Sequence, residues 1–262
     1  MEQAHDFLEE SEALYAVLAD VSGEAWDRPT QFKGWTLNDV LVHLHFWNQM
    51  AELSRSDQAA LQGRLARTVA GIQREGIRAT ENAMIPERGE ALREAWRAFY
   101  TRMGQDWEAL DPKMRVKWVG PDMSVRSSIT ARQMETWAHG QEVFDSLGVD
   151  REESDRIRNV VVLGVNTFGW SFKVNGRDVP ETMPLLELTA PSGAVWTYGE
   201  PGKDRIAGSA VEFAQVVAQT RNIADTGLTV EGPVATEWMA IAQCFAGGAE
   251  TPPPPGARHK VA

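Results

Sequence analysis

Glu135 and His139 stand four residues apart in a stretch, residues 132–142, that has no Pro and no Gly before Gly140. A helix places side chains at i and i+4 one above the other. That is how one helix offers two ligands to one metal ion. Arg132 and Glu142 prolong the stripe, roughly opposite Met134, Trp137 and Phe144. The same pattern is also what the solvated face of an ordinary amphipathic helix shows. His43 bears on the choice. In the run from Thr36 to Ser54 it shares an apolar stripe with Val40, Trp47 and Met50, spaced i, i+3, i+7, i+10. A lone inward histidine is more often a core residue than a ligand. Two helices each offering an inward imidazole or carboxylate favour a metal. His43, Glu135 and His139 would give three protein ligands and leave one position open, the arrangement of a catalytic zinc site. His45 is turned about 200° from His43 at 100° per residue, which predicts a solvent-side or secondary role.

These side chains need helices to carry them. Residues 3–21 place Phe7, Leu14, Leu18 and Val21 on one face and predict a first helix. Phe32-Lys33-Gly34-Trp35 reads as a connecting loop. Thr36 and Asp39 form a capping-box pattern at the start of the helix that carries His43. Asp39, one turn before His43, also suits a carboxylate holding the imidazole. Residues 57–85 are polar and helical in character, loosened by Gly63, Gly71 and Gly76. Residues 88–109 predict a third bundle helix, stopped by Asp111-Pro112, and residues 116–121 a loop or short extended piece. Ser127 or Ser128 is placed to cap the helix that carries Glu135 and His139 and ends near Gly148. Candidate ligands on the second and fourth helices predict a site between facing helices of an antiparallel bundle.

The character changes after residue 150. A helix is predicted over 155–172, strands over 184–190, 195–198, 205–208 and 228–230, and helices over 210–220 and 234–245. This half is α+β. Residues 247–262 contain Pro252-Pro253-Pro254-Pro255 and predict a flexible tail.

Among the 262 residues, the net charge of −11 argues against a nucleic-acid partner. The single cysteine, Cys244, excludes an intrachain disulfide and a Cys-rich metal site. A reducing cytoplasm is the simplest compartment. The first 20 residues lack the basic start and apolar centre of a signal peptide. No apolar run is long enough to span a membrane. Ten Trp require a well-packed aromatic interior.

Gly34-Trp35-Thr36 with His43 eight residues past the Trp, followed by Glu135-x-x-x-His139-x-x-Glu142, resembles the DinB-like superfamily and, within it, the mycothiol-dependent maleylpyruvate isomerase family of actinobacteria. The likeness continues through Leu185 to Leu188, Val195 to Gly199 and the helix ending near Arg221. It implies a mainly α chain: a DinB-like four-helix bundle over residues 1–150, a small α+β domain over 151–246, and the Pro-rich tail 247–262. It implies Zn²⁺, or another divalent metal, on His43, Glu135 and His139, with mycothiol or a similar small thiol as cosubstrate. It further implies an arginine of the second domain near the site. Arg221 is the match, placed to grip a substrate carboxylate in two-pronged fashion. A charge stabilising a helix C-terminus is an equal alternative reading of Arg221. Glu142 stands where family members often have Asp. The expected function is a zinc-dependent thiol-using transferase or isomerase acting on a small electrophile. Maleylpyruvate isomerisation itself is not carried over. The alternative is a non-catalytic metal- or small-ligand-binding protein on the same bundle. A homodimer is compatible with the helix faces; no nucleic acid and no membrane are expected as partners.

Overall fold

The computed structural model describes residues 1–118 and 122–262, which divide into two compact units, Met1–Val149 and Asp150–Ala262. Among its described residues the first holds six α-helices: α1 (Glu2–Val17), α2 (Leu37–Ser56), α3 (Gln58–Glu75), α4 (Ile77–Met84), α5 (Gly89–Glu108) and α6 (Val125–Leu147). The core lies among α1, α2, α5 and α6 and contains Phe7, Leu14, Phe46, Trp96, Tyr100 and Trp107, all fully buried. The Trp-rich composition is spent largely here.

Local chemistry sets the helix ends. Thr36 Oγ1 accepts from Asp39 N at 3.1 Å and Asp39 Oδ2 accepts from Thr36 N at 2.9 Å, so the capping box is complete. Asp57 closes α2 and caps α3, accepting from Ala60 N at 2.9 Å. Of the three glycines expected to loosen this region, only Gly76 breaks the helix, at φ 84°, separating α3 from α4. Gly63 and Gly71 lie within α3; a Cβ on Gly71 would come within 2.6 Å of Thr80, so its bareness lets α4 pack close. The cap of α6 is neither Ser127 nor Ser128. Ser124 Oγ accepts from Ser127 N at 3.1 Å, and the helix starts at Val125. A two-residue antiparallel ladder just before it, β1 (Arg115–Val116) with β2 (Met123–Ser124), explains the earlier start. Residues 119–121 of the expected loop lie outside the described residues. Gly148 ends α6 in the left-handed conformation, φ 70°.

In the second unit, the helix expected over 155–172 is two: α7 (Arg158–Asn166) and α8 (Phe168–Val174). Thr167 divides them; its Oγ1 donates back to Leu163 O at 2.8 Å and competes with the helical ladder. Strands β3 (Leu185–Thr189), β4 (Val195–Tyr198), β5 (Arg205–Ser209) and β6 (Thr229–Glu231) form one sheet in the order β4-β3-β5-β6. β3 pairs antiparallel with β4 and parallel with β5, and β5 pairs antiparallel with β6. Leu186, Leu188 and Ile206 point to the buried face. Helices α9 (Ala210–Val217) and α10 (Pro233–Ile241) add Phe213 and Trp238, ring centroids 5.6 Å apart. The fold is mainly α, with the four-stranded sheet confined to this smaller α+β part.

The Pro-rich stretch is tied down rather than free. Pro253 is buried, and its carbonyl accepts from Asn222 Nδ2 at 2.8 Å. Gly256 N donates to Asp225 Oδ1 at 2.9 Å, and Arg258 Nη1 to Gln219 O at 2.7 Å. No helix among the described residues is long and apolar enough to cross a membrane.

Candidate metal centre

α2 and α6 bring the three candidate ligands together. One donor atom from each of His43, Glu135 and His139 lies within 4.8 Å of the other two. Glu135 Oε2 is 3.7 Å from His43 Nε2 and 3.4 Å from His139 Nε2. These separations exceed an N–H···O hydrogen bond. They match the edge of about 3.4 Å that a tetrahedral site requires when each donor is about 2.1 Å from the ion. Two imidazole nitrogens and one carboxylate oxygen are a donor set that suits zinc. The residues present therefore fit a divalent metal.

The other side of His43 makes a true hydrogen bond. Its Nδ1 lies 3.0 Å from both Oε1 and Oε2 of Glu81, on α4. Trp47 Nε1 donates to Glu81 Oε1 at 2.6 Å. Glu81 is only 1% exposed. Bonded this way, Nδ1 keeps its proton and Nε2, facing Glu135, is the nitrogen left to an ion once its own proton is displaced. The role considered for Asp39 thus falls to Glu81. Asp39 serves as a cap and accepts from Asn82 Nδ2 at 2.7 Å. Sequence reasoning missed Glu81 because it sits 38 residues from His43 on a different helix.

The polar stripe on α6 is not a solvated face. Arg132 is 6% exposed and Glu142 2%. Arg132 Nη2 approaches Glu135 Oε1 at 3.9 Å, the oxygen that does not face the imidazoles, and its guanidinium lies 5.7 Å from the Trp118 ring centroid. The loop before α2 supplies an aromatic wall. Lys33 and Gly34 both have positive φ, 53° and 66°, and Trp35 N donates to Phe32 O at 2.9 Å, as in a type I′ turn. That turn sets the Phe32 and Trp35 rings side by side. Trp35 stacks on His139 (5.9 Å, 1°), and Phe32 meets it edge-on at 5.0 Å.

Electrostatics follow from this packing. Burial disfavours a charged His43, but Glu81 and Glu135 overcome it and raise the imidazole to about 9. Burial pushes His139 down and outweighs its contact with Glu135; the charge on His43 adds to the effect. Burial alone would raise Glu135, yet His139, His43 and Arg132 hold its carboxyl well below the usual range. In the polypeptide alone the proton on His43 balances Glu81 and Glu135 together with Arg132; an ion arriving at Nε2 must displace that proton.

Residues 7–144 match the model of the mycothiol maleylpyruvate isomerase N-terminal domain. The chain belongs to this family. Uncharacterized proteins from two strains of Mycobacterium tuberculosis are each 36% identical to it over 255 residues, covering 96% of this chain and 95% of their own. The crystal structure of the mycothiol-dependent maleylpyruvate isomerase superposes with a TM-score of 0.57 at 16% identity, covering 88% of this chain and 94% of that one. A mutant of that enzyme gives 0.54 at 14% identity. At such identities the structural likeness speaks for the fold. Family membership agrees with the DinB-like bundle read from the Trp35, His43, Glu135 and His139 pattern. Arg221 lies in the second unit, past the end of α9, half-buried, with Nη1 donating to Thr220 O at 2.9 Å.

Proposed function

We propose that this family member is a zinc-dependent enzyme that uses a small thiol of the mycothiol class on a small electrophile bearing a carboxylate. The observation that carries the reading is the contrast at His43: a 3.0 Å bond from Nδ1 to Glu81 and a 3.7 Å gap from Nε2 to Glu135. One nitrogen is engaged by the protein and the other is spaced as a metal donor. Three protein donors leave room for an exogenous ligand. A bound divalent ion would supply stabilisation of the thiolate form of a thiol at neutral pH. The chain's own residues do the rest. Glu81 fixes the tautomer and direction of His43. Arg132 engages the rear oxygen of Glu135 and keeps the other oxygen forward. Trp35 and Phe32 exclude water beside His139. Arg221 holds the substrate carboxylate in two-pronged fashion.

The test is metal content of protein purified without chelator, beside His43→Ala and His139→Ala, followed by thiol titration of the cobalt-substituted protein. About one metal ion per chain, lost in both variants, with a sulfur-to-cobalt charge-transfer band on adding thiol, is the expected result. Metal without thiol affinity would leave a non-catalytic metal-binding protein. No metal even after incubation with Zn²⁺ would remove the enzyme reading altogether.

A further inference from the structure

α2 carries a second histidine whose setting differs from that of His43. Spacing put His45 on the solvent side, yet it is only 5% exposed. The chain covers that side with α3 and the link from α4 to α5. The His45 ring sits edge-on to Phe99, centroids 5.5 Å apart. Its Nε2 lies 2.8 Å from Gln49 Nε2, one turn along α2, and its Nδ1 has no hydrogen-bond partner. A buried polar nitrogen without a partner calls for an explanation.

His45 and Gln49 line a cleft of about 370 Å³, together with Arg64 and Arg67 of α3, Met84 at the end of α4, and Glu87 in the following link. Arg64 is held in place, its guanidinium 4.7 Å from the Phe46 ring centroid. Arg64 and Arg67 are three apart on one helix, so their like charges repel. Neither has a carboxylate within ion-pair distance among the described residues. Glu87 lines the cleft but stays outside that distance. Two guanidiniums without a bound carboxylate thus share one cleft with a buried imidazole. An oxyanion would satisfy both arginines, whose guanidinium forks bind it in pairs of hydrogen bonds, while the His45 ring forms part of the wall.

We propose that this cleft is a second ligand site, on the face of α2 turned away from the metal centre, that takes a small organic anion. Its phosphate or carboxylate head sits on Arg64 and Arg67 beside the His45 ring, and its apolar part lies against Met84. The volume exceeds that of a free phosphate and falls in the range of small-metabolite pockets.

The experiment is calorimetric titration of the full chain with inorganic phosphate and, separately, acetate, each against sodium chloride at equal ionic strength. Saturable binding of either probe is expected; whichever binds identifies the head group. Arg64→Gln with Arg67→Gln should weaken it by about tenfold or more, Glu87→Gln should tighten it, and His43→Ala should leave it unchanged. Arg67 is exposed and Arg64 half-buried on α3. Should the double variant lose helical signal, the exposed Arg67→Gln alone serves in its place. No saturable binding of either probe, or equal binding by the parent and the arginine variant, overturns the proposal. Loss of binding in His43→Ala would assign the anion to the metal centre and overturn it equally.

Discussion

Glu81 and His43 form the pair on which the chemistry of the centre turns. A carboxylate behind a ligating imidazole raises the basicity of the metal-facing nitrogen and fixes its direction. The same contact, with Glu135, keeps His43 protonated up to about 9 in the polypeptide alone. Ion and proton therefore compete for Nε2. From pH 6 to 8.5 the apparent Zn²⁺ affinity should rise about tenfold per pH unit, one proton leaving per ion bound, and flatten near the raised pKa. Competition with a chelator of known affinity across that range checks it. The effect on folding of the metal-free chain has the opposite sign. A raised histidine pKa gives stability that is complete below the ordinary value of about 6.5 and lost as pH climbs through the folded value. Glu81→Gln should cost about 10–100-fold in metal affinity and move the plateau to lower pH. An unchanged pH profile would remove Glu81 from the centre. Glu135 and His139 were visible in the sequence as candidate ligands because helical i,i+4 spacing puts them on one face, and His43 joined them through its inward stripe and the family resemblance. Glu81 was not, because nothing local links α4 to α2.

At the scale of elements, α2 is the helix whose start the sequence shows best. Both halves of the Thr36–Asp39 box are formed, and His43 follows two turns later. Thr36→Ala should cost about 1 kcal/mol of stability, read as a lower midpoint in denaturant, with metal stoichiometry unchanged. A loss of metal together with a small stability change would mean that the cap also sets the direction of His43. Other element boundaries were less legible. Gly63, Gly71 and Gly76 look alike in sequence, but only Gly76 needs a positive φ. Thr167 reads as an ordinary helix interior residue until its hydroxyl is seen bonded to Leu163 O. The Phe32–Trp35 loop carries no periodicity at all, yet its two left-handed residues place the rings that enclose His139.

Taken whole, the chain joins a metal-ready bundle to a unit with its own sheet and aromatic core. The family places this bundle in proteins named for a thiol-dependent isomerase. If Arg221 grips a substrate carboxylate, Arg221→Ala should leave metal content and thiol binding as in the parent while raising KM at least tenfold, about 1.4 kcal/mol of lost binding. Arg221→Lys should restore only part of it, since an ammonium lacks the fork geometry. Equal losses of metal and substrate binding would instead make Arg221 a structural charge at the end of α9.

The sequence by itself determined the helices of the bundle, the α+β second half, the cap of α2 and the shared face of Glu135 and His139, because period, caps and i,i+4 spacing are local properties; that His43 meets this pair was an expectation from the family resemblance, and the fold brings the three donors together. The sequence could not decide whether the stripe from Arg132 to Glu142 faced water. An amphipathic helix and a helix buried on both sides share one pattern when the second interface is polar. Only the tertiary structure decided that, by packing α1, α2 and the Phe32–Trp35 turn against α6. It also decided that Glu81 stands behind His43, that His45 turns into a cleft with Arg64 and Arg67, and that the Pro-rich stretch is fastened to Asn222, Asp225 and Gln219. Each of these joins residues far apart in the chain, where sequence spacing carries no information about distance.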